Sequence, residues 1–250
     1  MFKKREKKVD TANPFCESAV THRNINTRHM RTKTLLIAAA LSAAGIATTM
    51  AQPVYSVNIV GYINKTLPPK FSAIANQLNA SPDNKVQTLF GSPPGSVTVY
   101  KYNVAIHNFD QAAFDPDGGW SDPTGMVLNP GDAAIVDNGV LDTGGNPVSL
   151  TLTFVGEVKL SSTVNIHAGI DGASSVIPQS GLISALGFPT PDGIFTFYKY
   201  IPGTGYVHSD WDPDNAAWSP SEPSLDIAEG FFYDNGGGTL AWTRTFQVGQ

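Results

Sequence analysis

The chain has 250 residues, 41% hydrophobic and only 15% charged, with 24 Gly, 18 Pro and a single Cys. That length allows one or two domains with a sizeable core, and so little charge excludes a coiled coil or a long disordered chain. Residues 1–51 hold nine of the 16 Lys and Arg but three of the 21 acids, so the remainder carries 7 bases against 18 acids, a net of −11. An acidic chain repels phosphate, which argues against nucleic acid as a partner of residues 52–250.

Residues 1–29 are polar and aperiodic, and they read as an extension upstream of a tidier start at Met30. Met30-Arg31-Thr32-Lys33 is a short basic region, Leu35 to Ala47 is an apolar run, and Thr48-Thr49-Met50-Ala51 offers small residues at the −3 and −1 positions for cleavage before Gln52. This three-part pattern predicts a secretory signal helix over 30–51. The apolar run is about 13 residues, short of the roughly 20 that a spanning helix needs, so no membrane segment is expected after cleavage. The expected location is secreted or periplasmic, with association at the outer surface. The only cysteine, Cys16, lies in the extension, so the exported part has no disulfide, thiolate nucleophile or Cys-ligated zinc.

Val54 to Ile63 predicts a leading strand within 52–65, able to pair with the edge of a module and cover it. A duplication follows. Val97-Thr98-Val99-Tyr100-Lys101-Tyr102 recurs as Phe195-Thr196-Phe197-Tyr198-Lys199-Tyr200. Phe114-Asp115-Pro116-Asp117, then Trp120-Ser121, recurs as Trp211-Asp212-Pro213-Asp214, then Trp218-Ser219. Leu128 to Gly139 recurs without gaps as Leu225 to Gly236, and Leu150 to Phe154 aligns with Trp242 to Phe246. Four landmarks in one order predict two tandem modules, 66–158 and 159–250.

Each module reads as β. Val97 to Tyr102 alternates and is rich in β-branched and aromatic residues, Asp132 to Val136 and Glu229 to Tyr233 are short strands ending in Asp-Asn-Gly turns, and Ser149 to Val155 and Leu240 to Val248 alternate again. Gln87 to Phe90 and Leu182 to Leu186 each allow one helical turn. The predicted fold class is all-β: two duplicated modules, each a small sandwich or barrel, behind a signal helix.

The stretches YSVNIVGYINKTLPPKFSAIANQL, VYKY, LNPGDAAIVDNG, TFVGEV and AEGFFYDNG with WTRTF resemble a large family of uncharacterised secreted bacterial proteins with the patterns G-F-S-L-I-A-N-P-L, V-Y-K-F, P-G-E-G-F-F-V and T-F-V-G-E-V. The resemblance covers residues 54–250; a looser one exists to surface modules with a W-N-L-I-G-N-P pattern. It implies export, a duplicated β architecture and no established chemistry. Two departures stand out: Ala133-Ala134 replace the motif's Gly-Phe, and Gly172 to Ile177 echoes Ala73 to Leu78 only weakly.

Asp210, Asp212 and Asp214, with Asn215, have the alternate spacing of oxygen ligands in a calcium loop. Asn215 stands where such a loop wants Gly and Ser221 where it wants Glu, so an Asp-Pro-Asp turn is the preferred reading, calcium the alternative, and no other cofactor is implied. After cleavage the only Glu are Glu157, Glu222 and Glu229, and the only His are His107, His167 and His208; none falls in a catalytic or metal motif. Glu229 matches Asp132 in the repeat, which favours a part in the fold over a glycosidase pair. The aromatic residues are the best binding candidates: Trp120, Trp211, Trp218 and Tyr206, beside turns where function concentrates. The predicted role is non-enzymatic, structural or adhesive, toward a glycan or a cell-surface protein. A carbohydrate-binding pair and a secreted hydrolase are the alternatives.

Overall fold

The computed structural model describes residues 59–246. The extension at 1–29, the signal segment at 30–51 and the first part of the leading strand lie outside the described residues.

The described residues are almost entirely antiparallel β. β1 (Val60–Leu67) and β7 (Leu150–Glu157) pair as a two-stranded ribbon. β2 (Lys70–Ala75), β6 (Ala133–Gly139), β3 (Ser96–Asn103), β4 (Asn108–Asp115) and β5 (Gly119–Ser121) form a five-stranded sheet in that order. The second half repeats the plan. β8 (Ser161–Ile166) pairs with β16 (Leu240–Thr245), and β9 (Gly169–Ala173), β15 (Phe231–Asn235), β11 (Phe195–Ile201), β12 (Gly205–Asp212) and β13 (Ala217–Ser219) form the second five-stranded sheet. Strand for strand, the two orders correspond. A single-turn helix, α1 (Val86–Phe90), follows β2, and the short pair β10 (Gly181–Leu182) and β14 (Ser224–Leu225) closes one end of the second half. From Val60 onward the leading stretch belongs to the first ribbon, with Val60–Leu67 facing β7.

Period-two alternation decides what each layer buries. Ile63, Leu67, Leu150, Leu152 and Phe154 point from the first ribbon onto Val97, Val99, Phe114, Ala134 and Val136 of the sheet. In the second half Ile166, Leu240 and Trp242 cover Phe195, Phe197, Phe231 and Tyr233. The second core is thus richer in aromatic rings than the first, and Phe197 stacks on Phe231 with ring centroids 4.2 Å apart. Register corrects one sequence alignment. Leu150 faces Leu67 and Leu240 faces Ile166, so Trp242 takes the place of Leu152, two positions from the match to Leu150. A slip of two leaves every side chain on its original face, which is why the alternation alone did not detect it.

The shared letters make shared bonds. Lys101 Nζ reaches Asp132 Oδ2 at 2.7 Å and Val127 O at 2.9 Å; Lys199 Nζ reaches Glu229 Oε2 at 3.0 Å and Ser224 O at 3.0 Å. The Asn of each Asp-Asn-Gly is more than a turn residue. Asn138, 2% exposed, ends its strand with Nδ2 donating to Leu67 O, Pro68 O and Val148 O, while Asn235 donates to Ile166 O, His167 O and Gly238 O. Each clamp ties the sheet to its ribbon, and a buried amide serving three carbonyls is costly to remove.

The halves meet through reciprocal contacts. Ala75 N donates to Ala228 O, and Ser174 N donates to Gly131 O. Ala75 corresponds to Ser174 and Gly131 to Ala228, so each half offers the other the same pair of groups. The weak echo of Ala73 to Leu78 in Gly172 to Ile177 therefore occupies matching positions at the junction. Gln77, 1% exposed, adds an amide bridge without a counterpart: Nε2 donates to Ser175 O at 2.9 Å and Oε1 accepts from Ala228 N at 2.8 Å.

Candidate functional site

The four aromatic candidates separate into three places. Trp120 and Trp218 lie on β5 and β13, facing Phe114 and Trp211 across the hairpins. Each hairpin turns on an aspartate. Asp115 Oδ1 accepts from Asp117 N and Gly118 N, and Asp212 Oδ1 accepts from Asp214 N and Asn215 N. Asn215 Nδ2 also donates to Asp212 Oδ2 at 2.7 Å, and this side-chain bond is the main reason the Asp212 carboxyl lies below its ordinary range. Asp210 is held apart on the strand by Thr196 Oγ1 at 2.8 Å. Among the described residues, no three His, Cys, Asp or Glu side chains converge at metal-binding spacing. The carboxylates of Asp212 and Asp210 thus serve the turn and the strand, and Asp214 enters the turn through its backbone N–H.

Trp120 is partly buried against Phe90 and Phe114, with Nε1 donating to Gly91 O at 2.7 Å. Trp211 and Trp218 pack edge to face at 5.4 Å and pack against the second core. They also wall a cleft of about 400 Å³, together with Phe188, Pro189, Pro191 and Glu222. The Trp211 Nε1 is buried without a hydrogen-bond partner.

Tyr206 sits elsewhere, 51% exposed, on the outer face of the second sheet. Sequence alternation places Tyr100, Tyr102, Tyr198 and Tyr200 on one face of their strands, and that face is the outer one. They belong to neither module's core; they pack around Ala73, Ile135 and Phe232 where the halves meet. Tyr102 faces Phe109, and Tyr200 faces Tyr206, so each half presents a matching cross-strand aromatic pair. Phe232 lies between them, 5.9 Å from Phe109 and 6.2 Å from Tyr206. The five rings form a continuous seam, and a groove of about 370 Å³ beside it is walled by Phe71, Tyr100, Phe109, Ile135, Tyr200 and Tyr206. Burial, with Tyr200 close by, raises the pKa of the Tyr206 hydroxyl, so it stays a neutral donor at physiological pH. Phe71 and Phe109 were not singled out from the sequence, because the motifs that run through β2 and the end of β4 do not show which face either ring takes; their places opposite Asp137 and Tyr102 would have marked them once the register was known.

A third hollow, of about 430 Å³, opens at the same junction beside Lys101, Asp110, Asp132 and Asp171. Asp132 is committed to Lys101 and to Asn129 N, and Asp110 accepts from Asn103 Nδ2. The Asp171 carboxyl has its pKa raised, first by burial and further by Asp132, against the amide of Gly172 and the charges of His167 and Lys101.

No family model matches the chain, and no curated protein or solved structure matches it either.

Proposed function

We propose that this is an exported, non-enzymatic attachment protein built from a duplicated β module, kin to the secreted two-repeat family its motifs resemble. Its place of work is the cell surface or periplasm, and the aromatic seam between its halves is its binding face. The carrying observation is the seam itself: Phe109 and Tyr206, 41% and 51% exposed, flank Phe232 from opposite halves. A contiguous exposed aromatic surface marks a place of association. The residues repeated between the halves support the non-enzymatic part, since Lys101, Asp132, Lys199, Glu229, Asn138 and Asn235 all spend their polar groups on internal bonds.

The full chain, added to washed envelopes of the producing cells, should sediment with them. The double variant Phe109→Ser, Tyr206→Ser should remain in the supernatant at least tenfold more. Equal sedimentation of the two proteins, with both shown folded by melting, overturns the seam as the binding face.

A further inference from the structure

The duplication leaves one hollow that packing alone does not explain. Phe109 and Tyr206 hold equivalent places in the two halves, each facing the last tyrosine of Tyr-Lys-Tyr on the neighbouring strand. Phe232 of the second half closes on both rings, inclined to them by 63° and 86°. Its counterpart in the first half is Ile135, which lines the groove of about 370 Å³ together with the same two rings. A branched aliphatic chain thus stands where the other half carries a phenyl ring, and there the groove stays open. The second half shows that this strand position accepts a ring. The smaller residue therefore leaves apolar surface uncovered that a phenylalanine would close.

The walls narrow the ligand's chemistry. Five of the six lining residues are aromatic and none is charged. Tyr200 and Tyr206 stand at 78° with centroids 5.1 Å apart, and Phe71 and Tyr100 at 51° and 6.5 Å, so rings border the groove from several directions. The faces of aromatic rings carry partial negative charge and attract a cation. Asp137 lies opposite Phe71, two residues from Ile135 on the same face of β6, and enters no ion pair among the described residues. No Lys or Arg lines the groove, and residues 52–250 carry 7 bases against 18 acids. An anion would find no counter-charge there. An ammonium bearing N–H groups would find only tyrosine hydroxyls as acceptors. A quaternary ammonium needs no acceptor, and its methyl groups make apolar contact with the rings. The turns beside these rings add exposed aliphatic side chains, Val104 and Ile106 after β3 and Ile201 at the end of β11, which suit the apolar boundary of a lipid surface. We propose that the groove binds the trimethylammonium group of choline headgroups on a phospholipid surface. The inference rests on the attachment reading for its setting and names the chemistry that the seam grips.

The test pairs sedimentation of the full chain on vesicles with calorimetric titration. The chain should pellet with phosphatidylcholine vesicles and not with phosphatidylglycerol vesicles. It should bind choline about tenfold or more tightly than dimethylbutanol, which puts carbon in place of the charged nitrogen. Ile135→Phe copies the second half and fills the groove, so it should abolish both kinds of binding without lowering the melting temperature. Tyr206→Leu keeps an apolar side chain but removes a ring. It should weaken choline by about tenfold and leave dimethylbutanol unchanged, a split that a purely structural Tyr206 would not give. Equal affinity for choline and dimethylbutanol overturns the proposal, as does full choline affinity in a folded Ile135→Phe. Choline binding without pelleting on phosphatidylcholine overturns the lipid as the source. Loss of choline binding with envelope sedimentation intact counts against this inference alone, and intact choline binding with no envelope sedimentation counts against the attachment reading.

Discussion

Asp171 occupies the strand position that Ser72 holds in the first half, and burial raises its pKa. A carboxyl whose folded pKa lies above its unfolded one holds its proton more tightly in the fold. Its contribution is full below the ordinary aspartate value of about 4 and is lost as pH rises through the folded value. At pH 7, above the unfolded value, the raised pKa therefore weighs against folding. Asp171→Asn keeps an oxygen for Gly172 N, which now bonds Oδ1 at 2.7 Å. It should raise the melting temperature at pH 7, with the gain fading as pH falls toward about 4. Melting curves across that range check it, and a gain constant with pH would show that the raised pKa is not the cause. The residue scale is also where the sequence was easiest to misread. The lysine of Val-Tyr-Lys-Tyr looks like one more surface charge, and the asparagine of Asp-Asn-Gly like a turn former. Their true partners are some 31 and 71 residues away, out of reach of any local pattern.

At the scale of elements, the strands with strong alternation were legible: Val97 to Tyr102 and Phe195 to Tyr200 lie inside β3 and β11, β7 begins one residue into Ser149 to Val155, and β16 covers Leu240–Thr245 of the strand expected to run to Val248. The single helical turn at Gln87 to Phe90 is α1. β4 and β12 were not legible, since Asn108 to Gln111 and Tyr206 to Asp210 mix aromatic and polar residues on faces that hold water and the seam together. The departure of Ala133 from the motif's glycine also has a physical reason. Ala133 and Gly230 correspond, and they touch across the junction. A Cβ built on Gly230 would lie 2.6 Å from Ala133 Cβ and would collide with Ile74 O. There is room for one methyl group between the two loops. Gly230→Ala should cost about 2 kcal/mol as overpacking, and adding Ala133→Gly should recover part of that loss. Urea titration of the two single variants and the double variant reads the coupling; strict additivity would mean that the two residues do not share the space.

At the scale of the whole molecule, the described residues form two apolar cores and a smaller cluster at the seam. What couples the cores is polar and buried: the reciprocal amide bonds and the Gln77 bridge. Ala228 even packs as a member of the first core although its loop belongs to the second half. Gln77→Ala leaves Ala228 N without its partner, at about 1–3 kcal/mol, and leaves Ser175 O only the 3.4 Å bond from Ser174 Oγ. Scanning calorimetry should record one cooperative transition for the native chain and two separated ones for the variant. A single sharp peak in both would place the coupling in the seam. The all-β class was readable from composition and alternation; how the halves meet was not, because Gln77 has no counterpart in the other half and nothing local marks its reach.

Since each half gives the other the same amide and the same carbonyl, this handshake is complete with two participants. A third unit appended to the chain would find both of those groups already engaged. Such a geometry yields closed couples, not strings that lengthen unit by unit. Greater reach or valency would have to come from whole molecules gathered by their ligand, instead of from further copies strung along one polypeptide.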